Sequence, residues 1–221
     1  MVVQLVPAAV AAGPLYEFFL MQQSSALIIF VRAPETGRVK TRLAAAIGDA
    51  AALQVYNKLL QLTYTAVLQV NADRFVFYAD TMPPEDLWSK GPFIRCRQEG
   101  SDLGTRMELA FSLLFEKGYK KVVIIGSDCP ALTAAAINKA FFALADFEVV
   151  IGPSADGGYY LLGKKRQYTF LFRDKPWSTE GVLPATIADL QQQSVTYTEL
   201  PVLNDLDTAE DYAALRHLLD L

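Results

Sequence analysis

Three groups of side chains in this sequence could carry chemistry. Asp128 closes the stretch Val122-Val123-Ile124-Ile125-Gly126-Ser127-Asp128-Cys129-Pro130, a carboxylate placed where an apolar run stops. Arg32, Arg38, Lys40 and Arg42 put four basic side chains into eleven positions, with Pro34 and Gly37 shaping the backbone between them. Asp205 and Asp207 stand two apart near the end, so on extended backbone they share a face. Carboxylate oxygen suits a hard cation that carries phosphates. A basic, glycine-containing loop suits phosphate itself, because backbone N–H groups and cationic side chains converge on oxyanions. Four like charges on one tight loop repel one another unless an anion sits among them. Two carboxylates on one face repel unless they share a proton, a base or a cation. Each group also has a plainer reading. Asp128 can cap the next helix, the basic loop can be a solvated surface, and Asp207 can cap the final helix.

Three further positions are candidates. Asp102 and Arg106 lie one helical turn apart, which reads as an i,i+4 ion pair or as a turn over a base or ribose. Asp156-Gly157-Gly158 sits between two apolar runs, first of all a hairpin signal. Successive glycines there also let backbone approach a ligand closely, with Asp156 as a base or a sugar-hydroxyl acceptor. Trp177 stacks on a substrate ring or fills the base of a loop.

Positioning these residues takes alternating strands and helices. Ala26–Val31, Arg74–Ala79, Phe93–Arg97, Val122–Ile125 and Phe147–Pro153 read as strands, the β-branched runs as buried ones. Asp49 is expected to cap a helix from Ala50 to about Val70. Met107, Ala110, Phe111, Leu114 and Phe115 fall on one helical stripe. Thr133 opens a helix to about Ala145, a further helix covers Val182–Gln192, and Val195–Leu200 is the last strand. Thr208 with Asp211 makes a capping pattern for the final helix. This order predicts a mostly parallel, doubly wound α/β sheet with a late hairpin, whose ligands bind beyond the carboxyl ends of the strands.

The whole chain has 221 residues, 52% of them hydrophobic, with a net charge of −4. These values predict one large-cored domain and exclude a nucleic-acid footprint. The two cysteines, Cys96 and Cys129, suit a reduced cytoplasmic protein, and a single histidine excludes a zinc cluster or His-based triad. The loop after the first strand matches neither the P-loop nor the dinucleotide fingerprint. Residues 1–23 read as an N-terminal extension and 24–221 as a single domain. The extension lacks the basic start of a signal peptide, and Pro7, Gly13, Pro14 and Glu17 interrupt it as a membrane span. A short surface helix from Leu15 to Leu20 is the other reading of that segment.

Taken in order, these motifs resemble an uncharacterised bacterial family of glycosyltransferase-A-like proteins, the selenodomain-associated transferase type. That family is distantly similar to phospholactate guanylyltransferases and molybdenum-cofactor nucleotidyltransferases. The resemblance covers about Leu27 to Leu215. It rests on Arg32-Ala33-Pro34 through Leu43, Asp102-Leu103-Gly104 with Arg106-Met107, Gly126 to Pro130, Gly152-Pro153 with Asp156 to Leu161, Pro176 to Thr179, and Asp205 to Thr208 with Asp211. It implies a GT-A, nucleotide-diphospho-sugar transferase fold: a Rossmann-like sheet with helices on both faces that binds a nucleotide with Mg²⁺ or Mn²⁺. Carried over, Arg32, Gly37, Lys40 and Arg42 hold phosphates, with Asp102 and Arg106 also on the nucleotide. Asp128 takes the place of the metal-binding acidic motif. Ser-Asp-Cys supplies one carboxylate where glycosyltransferases of this fold often show Asp-x-Asp, so Asp205 and Asp207 would complete the metal site. Asp156 and Lys40 would be catalytic, and Gly157, Gly158 and Trp177 would face the acceptor.

The expected activity is metal-dependent transfer from a nucleotide-activated donor, a sugar nucleotide first. The alternative is nucleotidyl transfer from an NTP to a phosphorylated small molecule, with release of pyrophosphate. A third reading is a non-catalytic nucleotide-binding protein.

Overall fold

The structure, a computed structural model, describes residues 24–219. The expectations for residues 1–23, including the Leu15–Leu20 helix, lie outside the described residues. The central strands are β1 (Ser25–Val31), β2 (Asp73–Tyr78), β3 (Phe93–Arg97), β4 (Lys121–Ile125), β5 (Val149–Pro153), β6 (Tyr159–Lys164) and β7 (Tyr197–Glu199). They form one seven-stranded sheet in the order β3-β2-β1-β4-β6-β5-β7. Every pairing is parallel except those of β6, which runs against both β4 and β5. The hairpin expected at Asp156-Gly157-Gly158 is the β5–β6 turn, with a register shift at Gly152/Pro153.

Alternation along β1 sorts the core. Leu27, Ile29 and Val31 face one side, where they pack with Tyr56, Leu60 and Val67 of α2 (Asp49–Leu68) and with Ile137, Ala140 and Phe141 of α4 (Ala134–Ala143). Ala26 and Ile28 face the other side, against Phe111 and Leu114 of α3 (Leu103–Glu116) and Leu190 of α5 (Val182–Gln192). β1 is entirely apolar after Ser25, so both faces of the sheet can be buried. The parallel register, with Ile29 opposite both Val76 and Ile125, brings the carboxyl ends of β1, β2 and β4 into one row. The chain goes from β1 to one side for β2 and β3, then crosses to the other for β4. That reversal opens a crevice between β1 and β4. Arg32 and Asp128 follow those two strands.

Two local differences from the sequence reading matter. Thr41–Ile47 forms a separate short helix, α1, where the sequence pattern suggests a continuing loop. Its Leu-Ala-Ala-Ala-Ile run favours helix, and Leu43 is buried beneath it. Asp49 does not cap α2 with its side chain. Gly48, at φ 85°, makes the corner between α1 and α2, and Asp49 is the first helical residue. The last helix, α6 (Ala209–Leu215), starts as expected on a Thr208/Asp211 capping box.

Lys164 ends β6 on the side of the sheet opposite the crevice and is fully buried. Its Nζ lies 4.3 Å from the Phe111 ring centroid and 4.5 Å from that of Phe172, and donates to Gln167 Oε1 at 3.0 Å. The rings and the one amide only partly replace water, and burial pushes the ammonium down to about 7. Between that value and the ordinary lysine range the unfolded chain binds more protons than the folded one. Stability from this group therefore rises with pH through the window, and the cost of burying the charge is fully felt below it. Lys164→Met is expected to stabilise the fold at pH 6 by about 1–3 kcal/mol and to flatten the rise toward pH 10. Denaturant unfolding at both pH values checks this.

Candidate active site

A cleft of about 1130 Å³ opens over the carboxyl ends of the strands. Its first wall is the loop after β1. The Arg32 N–H donates to Tyr56 Oη at 2.9 Å, and that hydroxyl donates to the Arg32 carbonyl at 3.1 Å. Tyr56, on α2 and 3% exposed, thus fixes the loop at its root. Burial and the nearby Asp128 charge push its hydroxyl pKa up, so it stays protonated. Tyr56→Phe removes both bonds and leaves the Arg32 amide and carbonyl to find other partners. It is expected to cost about 1–2 kcal/mol of stability and to weaken anion binding by the loop, both readable in a pyrophosphate titration followed by melting.

Lys40 adopts a left-handed backbone, φ 49°, immediately before α1. Its side chain is 3% exposed, and its ammonium is held by the carboxylates of Asp128 and Asp207, the latter at 2.7 Å. Arg42 reaches the other oxygen of Asp207 at 2.5 Å. Burial alone would lower the Lys40 pKa, but Asp128 and Asp207 together carry it above the ordinary lysine value. Asp207 is buried enough to be pushed up, yet Lys40 and Arg42 hold it below the usual carboxylate range. The basic loop is therefore not charged on one side only. All four of its cations are already paired with acids: Lys40 and Arg42 with Asp128 and Asp207, Arg32 with Asp80 at 3.7 Å, and Arg38 with its near neighbour Glu35 at 3.0 Å.

Asp205 differs from Asp207. The residue between them, Leu206, is fully buried against α1 and α2, and its N–H donates to the Asp128 carbonyl at 2.9 Å. Leu206 thereby turns both aspartates toward the cleft, as the two-residue spacing predicted. Asp205 accepts from Ser154 Oγ at 3.0 Å and has no cation within ion-pair distance among the described residues. Burial first, then the charge of Asp128, push its carboxyl up to about 7.

The second wall is the β5–β6 turn with the loop before α5. Asp156 Oδ1 accepts from the Gly158 N–H at 2.9 Å. Gly157, at φ 86°, presses on the Glu180 backbone so closely that a Cβ would collide with the Glu180 carbonyl oxygen. The Leu183 N–H donates to the Gly157 carbonyl at 2.9 Å. Gly157 thus joins turn to loop, whereas Gly158, Trp177 and Glu180 line the cleft. Trp177 packs at the base of its loop and also borders the cleft. Its indole sits on Gly104, where a Cβ would collide with Nε1.

Some expectations need correction. Asp102 and Arg106 do not form an ion pair. Asp102 caps α3, accepting from the Thr105 N–H at 3.0 Å and Oγ1 at 2.7 Å and from Ser101 Oγ at 3.1 Å. The Thr105 bonds hold its carboxyl below the usual range. A free helix N-terminus is the stronger claim on a carboxylate than an exposed arginine. Arg106 instead donates Nε to the Gly100 carbonyl at 3.1 Å and faces the cleft. Gly37 shapes its turn at φ 74° near Asp49 and does not line the cleft. Gln98, at the start of the turn read as lying over a base or ribose, lines it; Tyr56 and Glu180 line it as well and were missed, since Tyr56 reads as one more inward helix residue and Glu180 as an ordinary polar loop position. Cys129 is no nucleophile, for burial, with Asp205 beside it, pushes its thiol up to about 12.

The donor chemistry suits a hard divalent cation. Asp128 and Asp205 offer carboxylate oxygen, and the charge of Asp128 helps to push the Asp205 carboxyl up, a repulsion that a cation would relieve. No group of three acidic, histidine or cysteine donors is gathered among the described residues. One or two carboxylates completed by substrate phosphates is the usual Mg²⁺ arrangement, so no full protein cage is required. No helix among the described residues is long and apolar enough to cross a membrane.

Comparison with solved structures agrees with the GT-A-like fold. A crystal structure from Desulfovibrio desulfuricans G20, provisionally named a nucleotide-diphospho-sugar transferase, is 32% identical over 87% of this chain and 86% of that one, with a TM-score of 0.80. CMP:2-keto-3-deoxy-manno-octonic acid synthetase complexed with CTP is 13% identical over 89% and 98%, with a TM-score of 0.56. The Rv0371C–manganese complex of Mycobacterium tuberculosis H37Rv is 13% identical over 89% and 98%, with a TM-score of 0.50. No curated protein matches the chain. The model of a family described as uncharacterized protein conserved in bacteria, DUF2064, matches residues 59–179, over half the sequence, and the chain belongs to that family.

Proposed function

We propose that residues 24–221 form one metal-dependent transferase domain that takes a glycosyl group from a nucleotide-diphospho-sugar. The observation that carries this reading is the division of charge in the cleft. Every lysine or arginine lining it, Arg32, Arg38, Lys40, Arg42 and Arg106, precedes Asp128 in the chain. The wall built from residues 154–182 brings Asp156 and Glu180 and no basic residue. One side of the cleft favours a diphosphate, and the other favours a neutral or cationic acceptor over a phosphorylated one. The provisional name of the 32%-identical relative points the same way.

In this reading Arg32, Arg38 and Arg42 bind the diphosphate. Lys40 is preplaced by Asp128 and Asp207, so its charge meets the leaving group without reorganisation. Mg²⁺ or Mn²⁺ at Asp128 and Asp205 would supply Lewis-acid neutralisation of the leaving diphosphate. A structural neighbour, 13% identical, solved in complex with manganese supports the use of a divalent cation. Asp207 is less available for that role because Lys40 and Arg42 already hold both its oxygens. Asp156, with Oδ1 anchored on the Gly158 N–H, has Oδ2 to take the proton from an acceptor hydroxyl. Trp177 offers an apolar face to a sugar ring.

Nucleotidyl transfer is the second reading, favoured by the number of basic residues in the first loop and by the CTP complex of one structural neighbour. Product analysis separates the two. Sugar nucleotides with Mn²⁺ and a pool of neutral sugars should release nucleoside diphosphate. Pyrophosphate released from an NTP with sugar phosphates, and no nucleoside diphosphate from sugar nucleotides, would establish the second reading instead.

A further inference from the structure

Residues 172–181 carry Trp177 and Glu180 to the cleft with no helix or strand of their own. Asp174, at φ 53°, and Ser178, at φ 65°, hold left-handed backbone on either side of Lys175-Pro176-Trp177. That conformation is sparsely populated for residues with a Cβ, so the surroundings must hold it. Close packing on α5 does not do so. A crevice of about 500 Å³ opens between this segment and α5, lined by Phe170, Arg173, Lys175, Ala185, Asp189 and Gln193.

Lys175 spans the crevice. Its side chain is 2% exposed, whereas Arg173, Asp174 and Glu180 are all exposed. Its Nζ donates to the Phe170 carbonyl at 3.0 Å, to the Arg173 carbonyl at 3.5 Å and to the Asp189 carboxylate. These acceptors use the three donors of an ammonium. The two carbonyls close the chain just before Asp174, and the carboxylate belongs to α5. The same helix holds the rest of the second wall, through the bond from the Leu183 N–H in its first turn to the Gly157 carbonyl. Helix α5 is therefore one reference for both halves of that wall: residues 156–158 through Leu183, and residues 177–180 through Lys175. On the other side the Trp177 indole and the Phe172 carbonyl approach Gly104, which allows the contact and offers no side chain to fix it.

We infer that Lys175 is a positioning residue: tied to Asp189, it sets where Trp177 meets the acceptor. Lys175 lines the crevice and not the cleft, so it acts through the indole and touches no substrate. The inference rests on the transferase reading above for what Trp177 faces, whereas the hold on Trp177 is a property of this chain alone. A misplacement of about 1 Å in a positioning group can cost about 100-fold in rate, so a remote ion pair can govern turnover.

The test compares the wild type, Lys175→Met and Asp189→Ala, each as the full chain. Acrylamide quenching of tryptophan emission reads the indole directly. Trp88, the other tryptophan, is 2% exposed, so the quenchable signal belongs to Trp177, and Trp177→Phe identifies it by difference. Both variants are expected to quench more strongly than the wild type, with emission shifted to the red. Turnover is followed as nucleoside diphosphate released with Mn²⁺ and a pool of neutral sugars from UDP-glucose, ADP-glucose or GDP-mannose, whichever the wild type uses. Both variants should keep the wild-type KM for the sugar nucleotide and lose about tenfold in kcat. Asp189→Ala, altered at a partly exposed side chain, decides the matter if Lys175→Met does not fold. Variants that melt at lower temperature but keep the wild-type quenching and kcat would make Lys175 a structural tie and overturn the inference. So would stronger quenching with unchanged kcat, or failure of both variants to fold. If the wild type releases no nucleoside diphosphate, the transferase reading fails, and quenching alone decides whether Lys175 places Trp177.

Discussion

Replacing Asp128 with asparagine is expected to lower turnover by about two to three orders of magnitude and to abolish stimulation by Mg²⁺ or Mn²⁺, with the fold intact. The expectation of an intact fold comes from how Asp128 is held. Its side chain is 44% exposed, so little packing depends on it. Its backbone carbonyl, which accepts from the Leu206 N–H, is unchanged by the substitution. Lys40 keeps Asp207, and Asp205 loses the negative neighbour that helps push its carboxyl up. Melting temperature and a Mn²⁺ titration of turnover measure the two effects separately. An unfolded Asp128→Asn protein would make Asp128 a structural tie between β4 and the Asp205–Asp207 segment.

Lys40→Met should have an effect of similar size on turnover and a different one on stability. The ammonium is buried between two carboxylates. Removing it leaves Asp128 and Asp207 to repel each other and Asp205, at a cost of about 1–2 kcal/mol, reduced by the solvent that reaches both acids. Turnover is expected to fall about 100- to 1000-fold, since a preorganised charge facing the leaving group is lost. A divalent cation should stabilise this variant more than the wild type, because it can take the place of the ammonium between the carboxylates. The comparison is the Mn²⁺-induced melting shift of the two proteins. A smaller shift in Lys40→Met than in the wild type would mean that Lys40 helps to build the cation site rather than competing for it.

Much of the architecture was legible because the buried strands are short β-branched runs with abrupt polar ends. Val122–Ile125 and Val149–Ile151 announce themselves, and the glycine pair at 157–158 announces the turn that reverses β6. Helix α1 was not legible, because Lys40-Thr41-Arg42 looks like a phosphate loop and the helix begins within it. At the site, the residues at strand ends could be picked out singly, since a charge after an apolar run stands out. Their pairings could not. Lys40 meets Asp207 across 167 positions, and no local pattern encodes that register. The same limit hid Tyr56, whose hydroxyl does its work on the backbone of Arg32, 24 residues away, while its ring sits among ordinary core residues. Asp102 illustrates the opposite case. Its helix-capping geometry was local, but the i,i+4 spacing to Arg106 offered a second local answer, and the backbone N–H of Thr105 won.

The central claim is that this cleft binds a nucleotide-activated donor together with a divalent cation. Its most direct test is a thermal-shift panel of nucleoside diphosphates, triphosphates and sugar nucleotides on the full chain, with Mg²⁺, with Mn²⁺ and with neither. At about one hundred times the dissociation constant a bound ligand stabilises the fold by roughly 2.7 kcal/mol. A shift of that order is expected for a sugar nucleotide with cation, and a much smaller one without it. Unchanged melting with every nucleotide under every cation condition would mean that the cleft binds no nucleotide-activated donor.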